Sequence, residues 1–199
     1  MKQEILVLYY SVHGATKELA QLIARGINSV EGVKARIRTV PKVSTVCEQV
    51  ENDIPNSGDP YVAVQDLKDC IGLALGSPVR FGNMASSMKY FLDGTINEWL
   101  GGDLIAKPAC VFTSSSSMHG GQEATLLSMM LPLLHHGMCL IGLPYSNLEL
   151  VTTTSGGTPY GVTHVAGMNS DNEITVEEKA LAVAQGKYLA EMALKLQKR

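Results

Sequence analysis

Six consecutive apolar or aromatic residues, Ile5-Leu6-Val7-Leu8-Tyr9-Tyr10, run without any alternation of polar and apolar positions. A strand of that pattern is covered on both faces, which is the situation of strands in parallel sheets flanked by helices. Parallel neighbours cannot be joined by a tight turn, so the run requires a crossover soon after it. The sequence supplies one. Beyond the polar turn Ser11 to Thr16, residues Leu19, Leu22, Ile23 and Ile27 recur at helical spacing and Gly32 follows them.

The rest of the chain repeats the alternation. Val33 to Val40 alternates apolar and polar positions, which predicts a half-exposed edge strand. Residues 41–65, with Pro41, Pro55, Gly58 and Pro60, read as an irregular surface connection. Cys70 to Leu75 is a buried strand ending in Gly76-Ser77-Pro78, and Met84, Met88, Phe91 and Leu92 form the apolar face of a helix. A strand over Ala109 to Thr113, a helix from about Glu123 to His135 and a strand over Met138 to Leu143 follow. After the Gly/Thr/Ser-rich stretch 145–173, a helix from Thr175 to Leu196 opens with an N-cap threonine and two acids in its first turn. Five strands alternating with helices predict a doubly wound α/β sheet with helices on both faces, whose ligands bind beyond the carboxyl ends of the strands.

At 199 residues the chain is long enough for one self-supporting core and short for two domains. Its formal charge of −3, from 16 Lys+Arg and 19 Asp+Glu, argues against a nucleic-acid or anionic-membrane partner held by a basic surface. Cys47, Cys70, Cys110 and Cys139 show no CxxC spacing, and His13, His119, His135, His136 and His164 no HxH or HExxH spacing, so no metal is expected. No signal-like segment or membrane-length apolar run is present, and a cytoplasmic protein with reduced thiols is expected.

Three loops fall on the ligand-binding edge. In the first, Ser11, Val12, His13, Gly14, Ala15 and Thr16 set hydroxyls and a glycine before a helix start, where backbone N–H groups and the positive helix end converge. This is an anion site without a cationic side chain, unlike a Walker loop or a GxGxxG turn; an ordinary capping residue explains much of the same pattern. In the second, Pro78, Val79, Arg80, Phe81, Gly82 and Asn83 display an aromatic where a core residue is not expected, which suits a planar heterocycle or a turn with one packed aromatic. In the third, Ser114, Ser115, Ser116, Ser117, Met118, His119, Gly120 and Gly121 supply flexible donors.

These residues carry a resemblance. Tyr9-Tyr10-Ser11-x-x-Gly14, Gly76-x-Pro78-x-Arg80-Phe81-Gly82-Asn83-Met84, Phe91-Leu92-Asp93 with Trp99, Gly120-Gly121-Gln122-Glu123, His135-His136-Gly137-Met138 and Gly156-Gly157-Thr158-Pro159-Tyr160-Gly161 occur in order over nearly the whole chain. The set resembles the WrbA-type NAD(P)H:quinone oxidoreductases. That resemblance implies a flavodoxin-like fold of strand order 2-1-3-4-5, bound FMN, a homotetramer, and two-electron transfer from NAD(P)H to quinones. It implies one FMN-binding domain over 1–199, with insertions at about 94–106 and 145–173.

Position by position, the resemblance places the FMN phosphate in Ser11 to Thr16. It places the isoalloxazine against Pro78, Val79, Arg80, Phe81 and Asn83, with contacts from Ser114 to Met118, Gly120 and His135. His13 matches the nicotinamide-side aromatic and Trp99 the quinone-stacking tryptophan; His135 is the candidate proton or hydrogen-bond donor, against a helix-end histidine facing the macrodipole. Ser116 to His119 and Gly94 to Asn97 depart from the family's glycine-rich pattern. The alternative is a flavodoxin-like electron-transfer or regulatory protein without quinone turnover. The modest charge, Trp99 and the long 145–173 stretch favour an enzyme, while no basic cluster for a 2′-phosphate stands out to rank NADH against NADPH.

Overall fold

The computed structural model describes residues 3–44, 55 and 57–197. Its elements are β1 (Gln3–Tyr9), α1 (Ala15–Asn28), β2 (Val33–Thr39), α2 (Val64–Asp69), β3 (Leu73–Pro78), α3 (Ser86–Asp93), α4 (Ile96–Gly101), β4 (Pro108–Ser115), α5 (Gln122–His135), β5 (Cys139–Leu140), α6 (Glu149–Thr152), β6 (Val162–Val165) and α7 (Val176–Gln197). All pairings in the sheet are parallel and its order is β2-β1-β3-β4-β5, with β6 also on β4.

The continuous apolar run behaves as its pattern demands. Ile5, Val7 and Tyr9 join a core with α1 and α7, while Leu6 and Leu8 face the opposite layer with α2, α3 and α5. Alternate side chains of β1 are thus buried on both faces. At the outer edge, Arg36 of β2 pairs with Glu4 and Asp66, and Arg38 with Asp66. Charges on an edge strand discourage pairing with another chain. Burial of the Asp66 carboxyl is outweighed by the Ala63 N–H and the two guanidinium groups, which hold it below the usual carboxylate range.

Helices α1 and α7 approach through glycines. A Cβ at Gly186 would lie 2.0 Å from the Ile23 carbonyl oxygen, and one at Gly26 2.0 Å from that of Val183. Gly186→Ala is therefore expected to push the helices apart and destabilise the fold by about 1–3 kcal/mol in urea unfolding, the usual size of an overpacking strain.

The fifth position of the sheet differs from the sequence reading. Instead of one strand over Met138 to Leu143, β5 covers only Cys139–Leu140, opposite Pro108 and Ala109, and the same edge of β4 is continued by β6 opposite Phe112 to Ser115. Residues 141–161 leave the sheet between the two halves. The 145–173 stretch consequently contains a sheet strand, because Val162-Thr163-His164-Val165 completes the ladder that β5 begins. The expected irregular connection 41–65 lies partly outside the described residues, at 45–54 and 56, and its last two residues begin α2. Cys47 also lies outside them. Cys70 and Cys110 are buried free thiols, with burial raising both and pushing Cys110 up to about 12, whereas Cys139 is exposed. Among the described residues, no helix is long and apolar enough to cross a membrane.

Candidate functional site

Because the strands are parallel, β1, β3, β4 and β6 all end at one edge, and the loops after them enclose a cleft of about 450 Å³. Its walls are Ser11, Val12, His13, Ala15 and Thr16 after β1, Pro78 to Phe81 at and after the end of β3, Ser114 to Ser116 and Gly120 after β4, and Ala166, Met168 and Ser170 after β6. That size falls in the range of roughly 300–1,000 Å³ typical of small-molecule sites.

One end of the cleft is an open helix start. Gly14 stands at the N-cap with φ +99°, and no side chain caps α1. The first intrahelical bond runs from the Glu18 N–H to the Gly14 carbonyl, so helix geometry leaves the N–H groups of Ala15, Thr16 and Lys17 without an intrahelical acceptor. The Gly14 N–H donates to Ser11 Oγ at 3.1 Å, and the Thr16 and Ser114 hydroxyls lie 2.9 Å apart. Hydroxyls from two loops and the positive end of α1 therefore meet around one point suited to an anion.

The other end is a wall built on a strained turn. The Val79 N–H donates to the Ser114 carbonyl at 2.9 Å, and Arg80 and Asn83 exchange backbone bonds of 2.8 and 3.0 Å. This clamp holds Phe81 at φ +53° with its side chain wholly exposed, at 105% of the reference area. A bulky residue in left-handed backbone with its ring in water is doubly unfavourable. Such outliers persist where the surrounding structure imposes them, and they gather at ligand clamps. Across the cleft, the Ser117 carbonyl accepts from Ser115 Oγ, Gln122 Nε2 and the Gly120 N–H, which folds the serine loop inward.

Most of the predicted residues come together, but not all. Gly14 faces an adjoining groove, Asn83 closes the Phe81 turn through its backbone, and Ser117 and Met118 lie outside the lining because the Ser117 carbonyl serves the loop itself. His135 and Trp99 do not reach the cleft of their own chain. Helix α5 starts at the cleft edge and carries His135 to its far end, about 20 Å away at 1.5 Å per residue. There Trp99, Pro132, His135 and His136 line a second pocket, and Trp99 Nε1 donates to the His135 carbonyl at 2.8 Å. In that pocket burial lowers the His136 imidazole below its ordinary value, against the opposing pull of Glu98.

The loop after β6 was missed, since the sequence reading ended the sheet at Leu143. The β-branched run Val162-Thr163-His164-Val165 was the available signal. The loop is anchored by a wholly buried carboxylate: Glu178 Oε1 accepts from Ser155 Oγ, the Gly156 N–H and the Val165 N–H at 2.8, 2.7 and 3.3 Å. Its Oε2 accepts from the Thr175 N–H at 2.9 Å and from His164 Nδ1 at 2.8 Å, while the Glu178 N–H donates to Thr175 Oγ1, a reciprocal capping box at the start of α7. Burial acting alone raises the Glu178 carboxyl, but the bonds from His164 and Thr175 outweigh it and hold the group below the usual carboxylate range. Among the described residues, no group of three His, Cys, Asp or Glu side chains is arranged to hold a metal ion.

A doubly wound sheet with an anion-accepting helix start and an aromatic-walled slot on its carboxyl edge defines a flavodoxin-like α/β protein. The comparisons agree. The family model described as NADPH-dependent FMN reductase matches residues 3–152, and the chain belongs to that family. Relatives include an NAD(P)H dehydrogenase (quinone) of Geotalea daltonii, 41% identical over 97% of this chain and 98% of that one, and its counterpart in Solidesulfovibrio magneticus, 39% identical over 96% and 98%. Among solved structures, a WrbA-like flavodoxin from Agrobacterium tumefaciens superposes with TM-score 0.68 at 19% identity over 98% of this chain and 99% of that one, which shows the shared fold.

Proposed function

We propose that this protein is an FMN-dependent NAD(P)H:quinone oxidoreductase. The observation that carries the reading is the cleft in which an uncapped helix start faces the exposed Phe81 wall. Its residues fit FMN: the hydroxyls of Ser11 and Thr16 with the first N–H groups of α1 take the phosphate, and Val79, Arg80 and Phe81 with Ser114 to Ser116 and Gly120 border the ring. When bound, FMN supplies the two-electron hydride chemistry that no side chain can.

The chain's own groups bind and orient. Among the described residues the cleft lining contains no carboxylate, and its Arg80 guanidinium would stabilise negative charge at the edge of a bound ring. His13, exposed at the mouth, borders the space where nicotinamide and quinone take turns. Asn83 supports this wall by closing the turn that aims Phe81.

Trp99 and His135 enter this scheme from a second copy of the chain. Trp99 is 49% exposed and is neighboured in sequence by exposed Ile96 and Leu100, while Leu131 and Leu134 are exposed on α5. Apolar surface of this kind marks an interaction site. The assembly is a homotetramer of single flavodoxin-like units spanning 1–199, with about 94–106 and, within 145–173, the excursion that precedes β6 as additions, working in the cytoplasm. Light scattering of the FMN-loaded protein tests the assembly, and a monomer at micromolar concentration contradicts it. Trp99→Ala is expected to leave FMN affinity unchanged and to cut quinone turnover by about tenfold, the equivalent of one aromatic contact of about 1.4 kcal/mol. Steady-state oxidation of NADH or NADPH by benzoquinone tests the activity; FMN-loaded protein without quinone-dependent turnover contradicts it.

A further inference from the structure

A groove of about 480 Å³ lies beside the cleft, along the outer side of α1. Lys17, Gln21 and Arg25 of α1 line it together with Lys179 from the first turn of α7. These cations are remote in sequence, so no cluster is visible there. They converge because Gly26 and Gly186 let α1 and α7 pack backbone to backbone.

Among the described residues, the groove is lined by three cations and one acid, Glu18. Among the described residues, none of Lys17, Arg25 and Lys179 appears in an ion pair, in contrast to Lys34, Arg36, Arg38, Lys68 and Lys89. Helix packing thus brings like charges to one groove, with Glu18 the carboxylate among its described lining residues. A doubly charged phosphomonoester is the ligand such a group fits, and the Arg25 guanidinium can grip two of its oxygens at once.

The groove also adjoins the redox cleft. Residues Ser11 to His13, Ala15 and Thr16 line the cleft, whereas Gly14 and Lys17 of the same stretch line the groove. A dinucleotide with its nicotinamide by His13 can therefore pass over this loop into the groove. Lys17 meets it first, and Arg25 lies eight residues on, about 12 Å along the helix.

We propose that this groove is the subsite for the 2′-phosphate of NADPH, with Arg25 and Lys179 binding the phosphomonoester and Lys17 the pyrophosphate. The assignment rests on the quinone-reductase reading of the cleft, and it gives that enzyme a preference for NADPH over NADH.

The test is calorimetric titration of FMN-loaded protein with adenosine 2′,5′-bisphosphate and with 5′-AMP, in the wild type and in an Arg25→Gln/Lys179→Gln double variant. Both side chains are exposed, so the double variant is expected to fold. The wild type is expected to bind the bisphosphate about tenfold more tightly than AMP at low salt, with an advantage that shrinks as salt is added. In the double variant the advantage disappears, and KM rises about tenfold for NADPH but not for NADH, with kcat unchanged. Equal binding of the two nucleotides by the wild type overturns the proposal, as does an advantage that survives both substitutions. NADH-driven quinone turnover in the same preparations is a separate readout. If it is absent while the bisphosphate preference holds, the quinone-reductase reading falls and the 2′-phosphate subsite stands.

Discussion

Glu178→Ala is expected to destabilise the protein by about 3–5 kcal/mol, the combined cost of leaving several buried donors without an acceptor at about 1–3 kcal/mol each. The side chain is wholly buried and accepts bonds from Ser155, Gly156, His164, Val165 and Thr175. Its loss strands those donors and leaves His164, 1% exposed, without the carboxylate. Val165 leads directly into Ala166, Met168 and Ser170 of the cleft, so FMN affinity is expected to fall as well, in protein that still folds at low temperature. The sign with pH follows from the carboxyl being held below its usual range. Its contribution is fully present above the ordinary carboxylate range and is lost as pH falls through the depressed value in the folded protein. Urea unfolding at successively lower pH measures this. Glu178→Gln is expected to be less stable at neutral pH and to show a flatter decline on acidification; a wild-type slope in the variant contradicts the role given to the carboxylate.

Ser11→Asp is expected to weaken FMN binding by about three orders of magnitude. Like charges brought together at an interface cost several kcal/mol, and each 1.4 kcal/mol is tenfold in affinity. Ser11 is only half-buried, and its one described bond is accepted from the Gly14 N–H, which an aspartate oxygen can replace. An aspartate before a helix start also suits the macrodipole. The cofactor-free variant is therefore expected to melt no lower than cofactor-free wild type, so the loss is assigned to the phosphate site. Fluorescence titration with FMN is the measurement. Retention of near-wild-type affinity moves the phosphate away from this loop.

The legible parts of the sequence were those where one physical requirement dominates a stretch. Ile5 to Tyr10 has no polar position, so burial on both faces was readable, and the edge character of Val33 to Thr39 was equally plain in its charged alternate positions. Three of the four cleft loops followed, because a parallel sheet gathers the carboxyl ends of its strands. The fourth was hidden because the outer strand is interrupted: Met138 to Leu143 reads as one strand that closes the sheet, whereas only Cys139–Leu140 pairs there and its continuation at Val162 lies beyond a Gly/Thr-rich excursion. Glu178 looked like an ordinary first-turn acid, since capping chemistry does not reveal that a second loop folds over the same carboxylate. His135 and Trp99 were recognisable as residues, but the length of α5 that separates them from their own cleft is a property of the assembled layers. The Lys17, Arg25 and Lys179 group was invisible for the same reason, as it exists only once two glycines have let α1 and α7 meet.

The most direct test of the account is the visible spectrum of the purified protein. Flavin bands are expected, bleached under anaerobic conditions by one equivalent of NADPH and restored by one equivalent of benzoquinone. A colourless protein that takes up no added FMN contradicts the cofactor site, and bands that NADPH bleaches but quinone fails to restore contradict the reaction.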